Sequence, residues 1–232
     1  MITVRKAQDR GATKIDWLDS RHSFSFADYY DPAFESFGAL RVINEDWIKG
    51  GAGFPPHPHR DMEIVTYVLE GALAHQDSSG GGGVIRAGEI QRMSAGKGIV
   101  HAEFNANPDQ ACHLLQIWIM PSRRGLDPSY EQKPLDAKAV ANKLARIAAP
   151  DPQPTEVRLV QDAEIWAGQL DANVEAIHPL APGRRAWIQV AKGELRLASE
   201  TLFAGDGAAV TDQEQIALRA RAPSEVLLFD LN

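Results

Sequence analysis

Short apolar segments separated by turn-forming residues dominate the hydrophobic pattern of this chain. Segments rich in Val, Ile, Leu and Trp recur between clusters of Gly, Pro and Asp. Many short segments of this kind are typical of the strands of a β-sandwich or barrel. The clearest predicted strands are 39–43, 63–69, 113–120, 185–190 and 225–229. The pattern therefore predicts an all-β protein.

One segment, DAKAVANKLARIA at residues 136–148, has a helical pattern instead. Val140, Leu144 and Ile147 are spaced four and three apart, which places them on one face of a helix. The alanine-rich composition favours the same conformation, and the proline-rich stretch that follows cannot continue it. The predicted organisation is an N-terminal domain (1–134), a linker of helix plus Pro-rich turn (135–155) and a C-terminal domain (156–232).

The two predicted domains share a faint internal repeat. Residues 187–193 resemble residues 66–71, because each is an apolar strand followed by a charged residue and a turn glycine. Residues 203–207 resemble 85–89 in the same way. Strand-and-glycine units recur in many β proteins, so the repeat leaves duplication of a β-domain as a hypothesis.

Composition and charge narrow the class of protein. The chain has 232 residues, 44% hydrophobic and 24% charged, which is typical of a globular protein. Its 24 Lys and Arg against 31 Asp and Glu give a net charge of -7, which argues against direct binding to nucleic acid or anionic membranes. The single cysteine, Cys112, excludes an intrachain disulfide and is predicted to be a small buried residue. Without a signal peptide or a membrane span, we expect a cytoplasmic protein.

Two spaced pairs of metal-binding residue types are the main chemical feature. His57 and His59 lie in GAGFPPHPHRDME, and on an extended segment residues two apart point to the same side. About forty residues later His101 and Glu103 repeat this spacing in GKGIVHAE. If both segments line one barrel interior, three imidazoles and a carboxylate converge.

Such a donor set suits a divalent first-row transition metal and leaves coordination positions open, as in catalytic sites. Glu103 is favoured as the fourth ligand because it is the fixed partner of His101 two residues away. Glu63 has three open roles: completing the site, supporting it from outside the ligands, or lying in solvent.

The remaining histidines have ordinary structural interpretations. His22 is predicted to form hydrogen bonds, near the pocket or elsewhere, and His113 to be a hydrogen-bonded core residue. His75 is predicted to be exposed, and His178 to lie in a loop. Three aromatic residues are candidates for lining a flat pocket, although core packing is the favoured role for each: Phe24, Phe26 and Phe54.

Several stretches resemble the sequences of the pirin family. HPHRDMEIVTYVLEGALAHQDS (57–78) and MSAGKGIVHAEF (93–104) look like pirin signatures, as do segments 20–32, 37–46 and 116–121. Residues 51–59 also resemble the first cupin motif, and the stretch from Gly88 to His101 resembles the second. The second motif departs from the general cupin pattern in having Ser94 where proline is common, and this departure is itself similar to pirins.

The resemblance covers residues 1–133 closely and continues more thinly to the C-terminus. It implies a bicupin: two double-stranded β-helix (jelly-roll) barrels packed together, with metal only in the N-terminal one. It carries metal ligation onto His57, His59, His101 and Glu103. Iron(II) is the favoured metal, with manganese, nickel, cobalt, copper and zinc left open.

The resemblance implies two different functions. Bacterial pirins are similar to quercetin 2,3-dioxygenases, which open flavonols with O2 and release carbon monoxide. Glu103 would then act as the base that removes the hydroxyl proton of a phenolic substrate. Mammalian pirins are nuclear iron proteins thought to be transcriptional co-regulators, so the alternative is a metal- or redox-responsive protein that acts through protein partners. A third possibility is a metal-free or zinc-filled cupin with an unrelated ligand.

Overall fold

The structure, a computed structural model, describes residues 1–232, and its regular secondary structure is almost entirely antiparallel β-strand. The chain divides into two compact units. Gly11–Pro134 and Val157–Gln161 form one unit, called here the first barrel. Met1–Arg10, Leu135–Glu156 and Asp162–Asn232 form the other, called the second barrel. The all-β prediction is confirmed.

A strand of the second barrel, β1 (Ile2–Arg5), and a 3-10 turn (Ala7–Asp9) precede the first barrel along the chain. Residues 11–134 of the first barrel then form eleven strands in order: β2 (Gly11–Lys14), β3 (Leu18–His22), β4 (Leu40–Ile48), β5 (Gly53–His59), β6 (Glu63–Glu70), β7 (Ala72–Asp77), β8 (Gly82–Arg86), β9 (Glu89–Ser94), β10 (Ile99–Asn105), β11 (Cys112–Ile119) and β12 (Ser129–Pro134). One sheet has the order β12-β9-β6-β11-β4-β3-β2 and the other β5-β10-β7-β8.

The rest of the chain holds one helix and ten strands. The helix α1 (Ala137–Val140) has four residues, and no helix is long and apolar enough to cross a bilayer. The strands are β13 (Ala145–Ala149), β14 (Val157–Arg158), β15 (Ala163–Leu170), β16 (Glu175–Pro179), β17 (Arg185–Lys192), β18 (Glu194–Leu197), β19 (Glu200–Phe203), β20 (Gly207–Val210), β21 (Gln215–Ala220) and β22 (Ser224–Leu231). In the second barrel one sheet contains the order β1-β20-β17-β22-β15-β13, and the other is β16-β21-β18-β19.

The strand orders confirm the internal repeat. The order β9-β6-β11-β4 of the first barrel matches β20-β17-β22-β15 of the second, and β5-β10-β7-β8 matches β16-β21-β18-β19. The similar sequence segments fall on matching strands, β6 with β17 and β8–β9 with β19–β20. Gly71 and Gly193 occupy the same turn in the two copies, each with positive φ. Aligning these two glycines shows which residue of one barrel corresponds to which residue of the other.

Side chains from both sheets meet inside each barrel. In the second barrel Leu228 of β22 and Leu218 of β21 belong to one cluster of sixteen buried apolar residues. In the first barrel Leu114 of β11 and Leu73 of β7 share a smaller cluster. Burial of one such side chain stabilises the folded state by roughly 1.5–3 kcal/mol.

The predicted helix at residues 136–148 is wrong beyond Val140. The Asp136 carboxylate caps α1 by accepting two backbone N–H groups, but the backbone reaches φ +58° at Asn142. Ala145–Ala149 then forms β13, which pairs with β15. Pairing within the sheet therefore overrides the local helical preference.

Two segments lie on the other side of the predicted domain boundaries. Met1–Arg10 belongs to the second barrel, because β1 pairs with β20. Val157–Gln161 belongs to the first barrel. The predicted boundaries at 134 and 156 follow the chain, whereas β1 joins its sheet by long-range pairing.

Candidate metal centre

Strands β5 and β10 bring the predicted histidines together. The strands pair antiparallel, with His101 opposite His57 and Ile99 opposite His59. Ligand nitrogens of His57, His59 and His101 all lie within 4.8 Å of one another. The two segments that sequence spacing singled out therefore line one interior.

The local sequence explains why both strands can present these side chains. In β10 burial alternates, so that His101 and Glu103 face inward while Val100 and Phe104 face solvent. Strand β5 contains three prolines and lies at the edge of its sheet. An edge strand tolerates prolines because it needs few backbone N–H donors.

Glu103 is held rigidly in the same interior. Its carboxyl is buried, and Glu103 Oε2 lies 4.0 Å from His101 Nε2. The Gln116 amide Nε2 donates to both carboxyl oxygens, at 3.1 and 3.0 Å. The Thr66 hydroxyl in turn donates to Gln116 Oε1 at 3.0 Å, which fixes the orientation of the amide.

A chain of hydrogen bonds sets the orientation of His101. His101 Nδ1 lies 3.3 Å from His75 Nδ1, and His75 Nε2 lies 3.3 Å from Asp77 Oδ2. Because the Asp77 carboxylate accepts from His75 Nε2–H, His75 Nδ1 is left to accept from His101 Nδ1–H. The lone pair of His101 is then on Nε2, a buried atom without a hydrogen-bond partner. An unpaired nitrogen with a free lone pair fits a metal ion. The hydrogen bond at Nδ1 is the kind of support that metal-binding histidines almost always have.

The prediction that His75 is exposed is wrong. His75 is 4% exposed, and its ring stacks on Tyr130 with centroids 5.0 Å apart. Leu73, His75 and Asp77 are the buried positions of β7. This alternation was readable from the sequence once β7 is taken to begin directly after the Gly71 turn.

Burial controls the protonation of the donor groups. Burial, followed by the charge of His57, lowers the pKa of His59 to about 4. Burial, followed by the neighbouring histidines, lowers the pKa of His101 to about 2. Burial raises the pKa of Glu103 to about 7. His59 and His101 are therefore neutral near pH 7, the form in which imidazole binds metal ions.

A cavity of about 310 Å³ opens beside these groups. His57, His59 and Glu103 form part of its wall, and most of the wall surface that faces the cavity is apolar. Phe26 and Phe54 also line it, whereas Phe24 is a buried core residue. The cavity is large enough for a small planar molecule.

Two further predicted residues are resolved by their contacts. His22 borders the cavity, where its Nδ1–H donates to Asn44 Oδ1 (2.8 Å) and its Nε2 accepts from the Thr13 hydroxyl (2.9 Å), which confirms a hydrogen-bonding role near the pocket. Glu63 is buried, accepts the backbone N–H of Val160 at 3.2 Å and does not line the cavity.

The other histidines and the cysteine lie away from the cavity. His113 is buried and its Nε2 lies 2.9 Å from Glu45 Oε1, which confirms the core interpretation. His178 was predicted in a loop, but it lies buried on β16 with Nε2 2.8 Å from Asp230 Oδ2. Cys112 is buried as predicted, and burial raises the pKa of its thiol to about 12.

Among the polar residues of the cavity wall that were not predicted from the sequence are Asn44, Asp46 and Gln116. Each interrupts a strand that is otherwise largely apolar, at positions whose side chains are buried. Gln116 lies inside the predicted strand 113–120, where a polar residue at an inward position was an available signal, whereas Asn44 and Asp46 lie beyond the predicted strand 39–43.

Comparison with known proteins identifies the family. The sequence profile described as Pirin matches residues 3–119, and the profile described as quercetinase C-terminal cupin domain matches residues 146–231. The chain belongs to the pirin family. This pirin is 48% identical over 231 residues to the quercetin 2,3-dioxygenase of Escherichia coli strain K12, covering 100% of this chain and 99% of the relative.

Solved pirin structures are closely similar over the whole chain. The crystal structure of YhhW from Escherichia coli has a TM-score of 0.96 and 47% identity, covering 100% of this chain and 98% of that one. The bacterial pirin YhhW in complex with nickel(II) has a TM-score of 0.94 and 46% identity, covering 100% and 99%. The likeness confirms the cupin fold of the two barrels. Together with the buried histidine and glutamate group, it supports a divalent metal site in this pirin.

Proposed function

We propose that the first barrel is a metal-dependent dioxygenase site that opens flavonols such as quercetin with O2 and releases carbon monoxide. The observation that carries this proposal is that His57, His59 and the buried carboxyl of Glu103 line a cavity of about 310 Å³, with His101 beside them, within 4.8 Å of the two histidines and 4.0 Å of Glu103. The names of the similar bacterial proteins support the same reaction and substrate class. A planar phenolic molecule matches the aromatic walls formed by Phe26 and Trp118.

His57, His59, His101 and Glu103 would hold one divalent ion, for which we propose iron(II). When bound, the ion supplies Lewis-acid polarisation of the enolic oxygen of the substrate and a position for dioxygen. The protein supplies the neutral donor form of His101, through its contact with His75. The largely apolar cavity limits competing water.

Glu103 is the group proposed to accept the substrate hydroxyl proton. Its carboxyl lies in the cavity wall beside His57 and His59, within reach of a phenol bound there. Gln116 holds both carboxyl oxygens, so that Glu103 keeps one orientation while the proton moves to it.

An aerobic assay of quercetin absorbance, with detection of carbon monoxide, tests the proposal. We expect turnover by protein loaded with iron, manganese, nickel or cobalt, and its loss in His57→Ala and His101→Ala. His178→Ala is the matched control because His178 is a buried histidine of the second barrel. Absence of turnover with all four metals would show that the site has another function.

A further inference from the structure

Asp46 carries an oxygen atom that the protein leaves unsatisfied. Its carboxyl lines the cavity that contains His57, His59 and Glu103, and the residue is 2% exposed. Asp46 Oδ1 has no hydrogen-bond partner. Buried polar atoms in native proteins are nearly always paired, so an unpaired one on a residue of a cavity wall indicates a missing partner.

The polar neighbours of Asp46 are already engaged with one another. Ser20 lies directly opposite Asp46 on β3, and its hydroxyl oxygen lies 3.5 Å from His22 Nδ1. Asn44 Oδ1 is taken by His22, and the amide of Gln116 is taken by Glu103. The cavity wall therefore offers a free acceptor at one defined point.

The barrel itself does not need this carboxyl. Asp46 pairs with Leu114 across β4 and β11, and in the matching position of the second barrel Gly168 pairs with Val226. The second barrel closes with no side chain there, so the carboxyl serves something other than closure of the sheet.

A second unsatisfied atom belongs to another residue of the same cavity wall. Trp118 lies in its wall, and the indole Nε1–H has no hydrogen-bond partner. The ring stands edge-on to His59 with centroids 5.0 Å apart, beside the proposed metal position. The cavity thus combines a planar apolar wall, an acceptor at Asp46 and a donor at Trp118, which is the pattern that a polyhydroxylated arene satisfies.

We infer that this cavity selects polyhydroxylated phenols, with Asp46 Oδ1 accepting a hydrogen bond from a substrate hydroxyl other than the one at the metal. This inference rests on the proposed flavonol function and adds a specificity-determining residue to it. A pocket that buries an unpaired acceptor discriminates against ligands without the matching hydroxyl, because that acceptor stays unsatisfied in their complexes.

Equilibrium binding under nitrogen to the metal-loaded protein tests the inference. The probes are quercetin and 3-hydroxyflavone, which carries only the heterocycle hydroxyl. We expect wild type to bind quercetin about 10- to 100-fold more tightly. Asp46→Leu should remove that preference by weakening quercetin binding and should leave 3-hydroxyflavone within about threefold. Asp46→Asn, which keeps a carbonyl acceptor and the side-chain shape, should restore part of the preference.

Glu45→Gln is the matched control. Glu45 is the adjacent residue on β4, also buried, but it bonds His113 and does not line the cavity. Its substitution should leave the preference unchanged. Thermal melting and metal content confirm that each variant is folded and loaded before binding is measured.

Two results would overturn the inference: equal loss of affinity for both flavonols in Asp46→Leu, or no preference for quercetin in wild type. Failure of the dioxygenase proposal is distinguishable from either. In that case the preference for quercetin would still depend on Asp46, but the bound quercetin would not be consumed when oxygen is admitted.

Discussion

The two barrels have the same strand order, but the interior of the first is partly polar and that of the second is apolar at the matching positions. At one level of the first barrel, polar side chains on three neighbouring strands lie opposite one another. When the two barrels are aligned on the turn glycines Gly71 and Gly193, the matching level of the second barrel is apolar. The polar row is Thr66, Gln116 and Asn44, and the apolar row is Ile188, Leu228 and Trp166.

The small sheets differ in the same way. In the first barrel His101 pairs with His57 and Glu103 pairs with His75. In the second, Ile216 pairs with His178 and Leu218 pairs with Leu197. The second barrel thus retains one histidine, at the position of His57, and there it is bonded to Asp230.

This contrast shows what a buried polar site requires of its barrel. Each donor group in the first barrel occupies a position that could have held an apolar side chain contributing roughly 1.5–3 kcal/mol. At the positions of His101 and Glu103 the second copy has Ile216 and Leu218, which belong to its apolar cluster. One copy therefore carries the proposed chemistry, and the other is stabilised by a continuous core.

Removal of histidines from each barrel is the strongest test of the difference between the two interiors. We expect His57→Ala and His101→Ala to lower metal affinity by well over 100-fold, because even loss of an outer partner costs about 10- to 100-fold. His178→Ala, the equivalent change in the second barrel, should leave bound metal near one per chain. Elemental analysis of protein purified without chelator or nickel affinity resin measures this. Loss of metal in His178→Ala would show that the division between the barrels is incorrect.

A reciprocal exchange tests the two rows directly. Leu228→Gln buries an amide in the apolar interior of the second barrel and should lower the free energy of unfolding by about 3 kcal/mol. Gln116→Leu leaves the Glu103 carboxyl without its donor, so we expect weaker metal binding together with a smaller loss of stability in metal-free protein. Urea unfolding of both variants without metal gives the comparison. Equal destabilisation by the two substitutions would contradict it.

Metal addition should stabilise one barrel selectively. At a free metal concentration 100 times the Kd, binding adds about 2.7 kcal/mol to the unit that holds the ion. We expect slower hydrogen exchange in β5 and β10 and unchanged exchange in β16 and β21. Mass spectrometry of chelated and reloaded protein measures both barrels at once. Equal protection of β21 would mean that the two units do not respond separately.

The sequence was sufficient for the features that follow local rules. His57 with His59, and His101 with Glu103, were predicted to converge because side-chain direction alternates along strands. The repeat was visible because turn glycines fall at equivalent positions.

Features that depend on distant pairing were not accessible from the sequence in the same way. Residues 145–149 have helical spacing, yet β13 forms because β15 offers a partner. Strand β1 joins β20 across most of the chain. Asp46 and Gln116 line the same cavity only because β4 and β11 pair in the sheet.

The smallest expected effect concerns His75, whose position the second barrel fills with Leu197. His75→Ala removes the acceptor for His101 Nδ1–H, so His101 loses its fixed orientation and tautomer. We expect metal affinity to fall about 10- to 100-fold without being abolished. Competition with a chelator of known affinity measures the change, and 15N shifts of the His101 ring report the tautomer, which a merely structural defect would not alter. His113→Ala is the control, since His113 is a buried, carboxylate-bonded histidine of the same barrel that lies outside the cavity wall. An unchanged His101 tautomer in His75→Ala would show that packing, and not the hydrogen bond to His75, orients His101. Glu103, held by Gln116, would then be the only proposed ligand that a polar neighbour orients.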